Sequence, residues 1–180
     1  MSFFYNFPHK TGGTNGGKKI ETDFNSMIPT VPEDAHTGPD LRRVRVALID
    51  DGVEMFNKGM HRLQSRFQGR SFDTMPDGPS PIYSSVSRHG TFMSKSILRV
   101  CPFAAIVPYQ LKVTPDSTSK LLRPEPRSAA QAIRAAIHDG VDIISMSWTI
   151  RKDGSKSDHF GMDELRNVVH KARTAGQKSG

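Results

Sequence analysis

Two residues, Asp50 and His89, have surroundings that could do chemistry. Asp50 closes an apolar run in VALIDDGV (residues 46–53) and is followed by Asp51 and Gly52. His89 stands directly before Gly90 and Thr91 in RHGTFMSKSILRVCP (residues 88–102), where apolar residues recur at helical spacing. A carboxylate can hold one nitrogen of an imidazole and fix its tautomer, leaving the other nitrogen to take a proton from a nucleophile. Each residue also has a plainer role open to it. An Asp before Gly bonds readily to nearby backbone and forms turns, and a His at a helix start caps it or lies on the surface. Asp51, one residue into the turn, is the less suited partner for a histidine.

The elements around these residues decide whether they can meet. Residues 44–50, β-branched and apolar, read as a buried strand with Arg45 at its exposed beginning. Residues 53–88 are rich in loop signals, with Pro76, Gly78, Pro79 and Pro81 as breakers and room for one short helix near 58–66. A helix then runs from His89 to about Arg99 and ends before Pro102. A second strand fits residues 105–113, with Pro108 placing it at an edge or a bulge. Ser128 and Gln131 have capping-box spacing ahead of Ala132, Ile133, Ala136 and Ile137, so a helix starts there. Gly140 suits the left-handed position past its end, and residues 141–148 (VDIISMSW) form a third strand. Met162, Leu165, Val169 and Ala172 mark a last amphipathic helix, with Gly176 following. This alternation predicts an α/β fold: a parallel sheet with helices on both faces and right-handed crossovers. Such sheets bind ligands beyond the carboxyl ends of their strands, where Asp50 and His89 both project.

Composition narrows the setting. The 180 residues, 36% hydrophobic, suit one compact domain, which we place at 41–180. Residues 1–40, rich in Gly, Pro, Asn and Thr, read as a flexible leader. The net charge of +7 is spread in ones, twos and threes without interleaved aromatics, which argues for a solvated basic surface and against a nucleic-acid partner. Cys101 is the single cysteine, and the first residues show no charged start followed by an apolar run. An intracellular, cytoplasmic protein is expected. No apolar stretch reaches the roughly 20 residues that cross a bilayer, so no membrane partner is expected. Neither histidine pairs at metal-helix spacing nor an Asp cluster at calcium-loop spacing occurs, so the expectation is no metal and no cofactor.

VALIDDGV resembles the aspartate motif of the subtilisin-like serine peptidases, and HGTFMSKSI (residues 89–97) resembles their histidine motif. Residues 100–113 are similar to the strand after the histidine helix, and residues 129–148 to the next helix and strand. The resemblance spans about 44–176. It implies that Asp50 is the acid and His89 the general base of an Asp, His, Ser triad. It also implies that Ser147, Trp148 and Thr149 lie on the segment that pairs with an extended peptide substrate and borders its specificity pocket. The family usually has Ser-Leu-Gly there, so the bulk of Trp148 and Thr149 would reshape the pocket. The other role open to Trp148 is packing at the sheet edge with its N–H bonded.

Departures from the family pattern matter as much. Phe92 replaces a second histidine, and Met93, Ser94 and Lys95 replace small residues. The family's nucleophile motif and its oxyanion asparagine have no counterpart. Ser94 and Ser96 lie along the His89 helix on faces turned from the imidazole, and Ser145 and Ser147 lie on the third strand. The expected fold is therefore an incomplete subtilisin-like domain, with an open sheet edge that a downstream domain or partner would complete. Two functions follow from the resemblance. One is a serine-type endopeptidase acting on a peptide or protein substrate, with these 180 residues alone inactive. The alternative is an inactive fragment that binds peptides or a partner.

Overall fold

The computed structural model describes residues 42–56, 60, 67–115, 122–150 and 156–176. In chain order the elements are β1 (Arg45–Asp50), β2 (Arg70–Ser71), β3 (Thr74–Met75), β4 (Gly78–Pro79), α1 (His89–Val100), β5 (Ala105–Gln110), β6 (Val113–Pro115), β7 (Leu122–Pro124), α2 (Pro126–His138), β8 (Ile143–Ser145) and α3 (Lys156–Gly176). The expected leader, residues 1–40, and nearly all of the short helix expected near 58–66 lie outside the described residues.

Four strands form the parallel sheet in the order β2-β5-β1-β8. β1 pairs with β5 along its whole length, from Arg45 opposite Ala105 to Asp50 opposite Gln110, and with β8 from Val46 to Leu48. Because successive side chains of a strand point to opposite faces, an interior strand of this kind must be apolar on both. Val46 and Leu48 pack on one side with Leu98 of α1, Ile106, Val53 and Met60. Ala47 and Ile49 pack on the other with Ala129, Ala132, Ile133 and Ala136 of α2 and Leu165 and Val168 of α3. The small alanines let α2 lie close to the strands, and each fully buried Leu or Ile contributes about 1.5–3 kcal/mol. The connection leaving β1 thus goes to one face, while those leaving β5 and β8 go to the other. A strand whose neighbours' connections diverge in this way opens a crevice at its carboxyl end, and Asp50 is the last residue of β1.

Several local expectations are corrected. β5 is interior, not an edge. The amides of Ala105 and Leu111 donate to Val44 and Asp50 on the β1 side, so Pro108 faces β2. There the ladder is interrupted between the isolated Phe67–Ile106 bridge and the Arg70–Tyr109 pair, and no N–H is missed. Ser128 does not cap α2: the helix starts two residues earlier, after Glu125, and the Ser128 hydroxyl accepts the Lys112 amide at 2.9 Å. The third strand is three residues long, and Gly176 ends α3 from within it. Gly140 is left-handed, as its position past α2 requires (φ 63°). The two-stranded β3–β4 and β6–β7 pairs were not foreseen, since runs of two or three residues carry no periodicity. Among the described residues no helix is long and apolar enough to cross a membrane.

The turn after β1 is the tightest place in the fold. Gly52 has φ 106°, and a Cβ there would lie 2.0 Å from the Ser84 carbonyl oxygen. Gly52→Ala is therefore expected to cost at least about 2 kcal/mol, from left-handed strain and the displaced backbone together. Chemical denaturation measures this; a loss under about 0.5 kcal/mol would contradict the packing described.

Candidate active site

The last residue of β1 and the first residue of α1 meet. The Asp50 carboxylate accepts from His89 Nδ1 at 2.8 Å (Oδ2) and 3.0 Å (Oδ1), and from the Asp51 amide at 2.9 Å. Its backbone carbonyl accepts the Leu111 amide at 2.7 Å, which ties the aspartate to β5. The Asp50 side chain is 6% exposed and that of His89 42%, so the carboxylate is sealed by protein while the imidazole is open to solvent. The bond to the next amide resembles the turn-forming role of Asp, but both carboxylate oxygens also hold the imidazole. His89 is not a cap: the N-cap of α1 is Arg88, which makes no side-chain capping bond.

Backbone contacts fix where α1 begins. Arg88 is left-handed (φ 64°), the single non-glycine residue of positive φ among those described, and it turns the chain sharply into the helix. Gly90 then passes so close to the turn after β1 that a Cβ on it would lie 2.1 Å from the Gly52 carbonyl oxygen. The Glu54 amide donates to Thr91 Oγ1 at 2.8 Å, and the Val53 amide donates to the Ile82 carbonyl at 3.0 Å. The segments that carry the two side chains are thus held to each other at several points on either side of the couple.

The charges divide clearly. Hydrogen bonding to Asp50 holds the His89 pKa above its ordinary 6.5, against the opposing effect of partial burial and with the help of the Asp50 and Asp51 charges. Burial pushes the Asp50 carboxyl above its ordinary range, and the bonds from His89 and the Asp51 amide oppose that push. The two directions are compatible, because burial penalises the carboxylate while the nearby anion favours a charged ring. An ionised Asp50 requires a proton on Nδ1, which leaves Nε2 as the basic atom of the neutral ring.

Other residues expected in the site lie just past β8. Ser147 and Thr149 are exposed, and Trp148 is half-buried. The Trp148 indole packs against the core under α2 and α3 and donates to the Ile49 carbonyl at 2.7 Å, just past the end of the β1–β8 ladder. The serine hydroxyls around His89 are committed elsewhere: Ser85 and Ser87 donate to Asp51, Ser94 to the Thr91 carbonyl and Ser96 to the Phe92 carbonyl. Asp51 is itself buried and bonded to the loop before His89. Sequence reasoning missed that arrangement; the spacing of Ser85, Ser87, His89 and Gly90 is the single local trace of it. Among the described residues no three His, Cys, Asp or Glu side chains cluster as metal ligands.

Residues 42–178 match the family model described as the subtilase family. Among solved structures, the chain is similar to a lanthipeptide protease, with a TM-score of 0.53 and 23% identity over 72% of this chain and 35% of that one. It is also similar to the epidermin leader peptide processing serine protease of Staphylococcus aureus, with a TM-score of 0.50 and 19% identity over 77% of this chain and 36% of that one. At these identities the likeness shows a shared fold, and the chain spans about a third of the length of both structures. No curated protein sequence matches it.

Asp50→Asn, which keeps the shape and removes the charge, is expected to lower the pH at which His89 titrates, followed by NMR of the imidazole. In the wild type the raised His89 pKa contributes stability that is fully present below pH 6.5 and lost as pH rises through the folded-state value. Denaturation series above pH 6.5 should therefore show a steeper loss for the wild type than for Asp50→Asn. An unchanged His89 midpoint in the variant would contradict the described couple.

Proposed function

The chain belongs to the subtilase family, and from that premise we propose that it carries the acid and the base of a serine-type endopeptidase. The observation that carries the proposal is the Asp50–His89 contact at 2.8 Å at the carboxyl end of the central strand. In this reading Asp50 fixes the Nδ1–H tautomer and stabilises the imidazolium when it forms. His89 Nε2 takes the proton of a serine hydroxyl as that oxygen attacks a peptide carbonyl, then delivers it to the leaving amine. Water, deprotonated by the same nitrogen, releases the acyl group. The serines beside His89 fit poorly as nucleophiles, since their hydroxyls donate to Asp51 or to helix carbonyls. Because the sequence also has no counterpart of the family's serine motif, we assign the attacking serine and the oxyanion donors to polypeptide other than these 180 residues. Ser147 and Thr149, exposed beyond β8, are proposed to pair with an extended substrate backbone. The Trp148 indole, bonded to Ile49, would hold that segment against β1.

A second reading is favoured by one feature. Among the described residues β8 pairs on one side only, with β1, and Ile143 and Met146 are 51% and 40% exposed there. An edge of this kind can add a strand from a peptide, a partner or a downstream domain without any catalysis.

One experiment separates the two. The 180-residue protein is expected neither to cleave unfolded protein nor to label with a serine-directed fluorophosphonate probe. A gene product extended through a downstream serine motif is expected to do both, and His89→Ala in it should lower turnover by on the order of 10⁶. An extended product that binds peptide but neither labels nor cleaves would favour the binding reading. Stoichiometric labelling of the 180-residue chain would overturn the assignment of the serine.

A further inference from the structure

Asp51 has a chemistry that neither the acid nor the base requires. Its side chain is buried, and its two oxygens accept four hydrogen bonds. Oδ1 takes the Ser85 hydroxyl at 2.8 Å and the Gly90 amide at 3.1 Å, and Oδ2 takes the Ser87 amide at 2.6 Å and the Ser87 hydroxyl at 2.7 Å. Ser87 and Gly90 flank the left-handed Arg88 and His89, so one carboxylate grips the strained turn at both ends. The Ser87 hydroxyl also accepts the His89 amide at 3.2 Å. On its other side, the Asp51 backbone amide donates to the carboxylate of Asp50. One residue therefore touches both halves of the couple, through its backbone to the acid and through its side chain to the loop and first turn that present the base.

We propose that Asp51 is a positioning residue: by clamping Ser85, Ser87 and Gly90 onto the turn after β1, it sets the His89 imidazole on Asp50. The inference rests on the reading of Asp50 and His89 given above, and concerns what assembles them. A left-handed non-glycine residue costs of order 1–3 kcal/mol and persists only where its surroundings over-determine it. Hydrogen bonds to a charged acceptor, worth about 1.5–3 kcal/mol each, are what over-determine Arg88 here. An amide cannot substitute. Asn offers one acceptor oxygen, and its NH2 group would face the Ser87 or Gly90 N–H with no lone pair to offer. Burial would push the Asp51 carboxyl up, but the bonds from Ser87, Ser85 and Gly90 outweigh it and hold the group below its ordinary value. Among the described residues, Asp50 and the pair of exposed Arg88 with partly buried Glu54, at 3.6 Å, also place charge beside this segment.

The test uses the folded 180-residue protein and reads His89 itself. Asp51→Asn is expected to lower the pH at which His89 titrates, to weaken the slowly exchanging Nδ1–H signal, and to speed hydrogen exchange of the Gly90 amide by about tenfold or more, the equivalent of one charge-assisted bond. Ser87→Ala, a milder change should Asp51→Asn fail to fold, is expected to move the Nδ1–H signal and the Gly90 exchange in the same direction by less. A Nδ1–H signal and a His89 midpoint unchanged in a folded Asp51→Asn protein, or unchanged Nδ1–H and Gly90 exchange in Ser87→Ala, would reduce Asp51 to a turn-stabilising residue and overturn the proposal. Asp50→Asn serves as the reference: if it leaves His89 unmoved, the acid–base reading fails, whereas a shift with Asp50→Asn and none with Asp51→Asn sinks the positioning role alone.

Discussion

The distance between two backbones governs everything else in the site. Gly90 passes so close to Gly52 that a Cβ on it would stand 2.1 Å from the Gly52 carbonyl oxygen, while a Cβ on Gly52 would stand 2.0 Å from the Ser84 carbonyl oxygen. Asp50 is two residues before one of these glycines and His89 one residue before the other, so this contact sets the reach of both side chains. The segments around it are stitched twice more, through Thr91 to the Glu54 amide and through Ile82 to the Val53 amide. A wider gap of even one methyl group would separate a carboxylate and an imidazole that now sit at hydrogen-bonding distance.

The sheet supplies the rigid side of that contact. β1 is flanked by β5 and β8 and covered by α1 on one face and by α2 and α3 on the other, so it is built into the core on every side. Placing a buried carboxylate there is costly unless it is paired and hydrogen-bonded, and Asp50 satisfies both conditions. The imidazole, carried on a helix start at the surface, bears the exposure that its partner does not. A second polar cluster ties the sheet to the end of α2. There the buried Tyr109 donates to the Asp139 carboxylate at 2.7 Å, Arg70 donates to the same carboxylate, and Arg45 donates to the Asp139 backbone carbonyl. That polar knot closes α2 against the strands without entering the site.

Much of this was legible from residue patterns, and the failures are equally physical. β1 was readable as a continuous β-branched and apolar run bounded by turn residues, and α1, α2 and α3 because their apolar residues repeat at helical spacing. The meeting of Asp50 and His89 followed from topology, since a parallel α/β sheet brings strand ends and helix starts to one edge. What pattern could not supply was anything decided by a distant partner. Pro108 reads as the mark of an edge or a bulge until β2 is known to break its ladder opposite it, and Ser128 reads as a cap until Lys112 claims its hydroxyl. Asp51 looked like a bystander in a turn because the donors that explain its charge lie 34 to 39 residues away. Trp148 divides the same way: its bulk was visible, but the Ile49 carbonyl that accepts its indole N–H, 99 residues earlier, was not.

The central claim is that Asp50 holds His89 through Nδ1 and leaves Nε2 basic. The most direct measurement is the tautomer of the His89 ring, read from its ring-nitrogen NMR shifts in the 180-residue protein at a pH above the imidazole's titration. The account predicts the proton on Nδ1, in slow exchange, with Nε2 bare. A proton on Nε2, or a ring exchanging freely between the two tautomers, would contradict it.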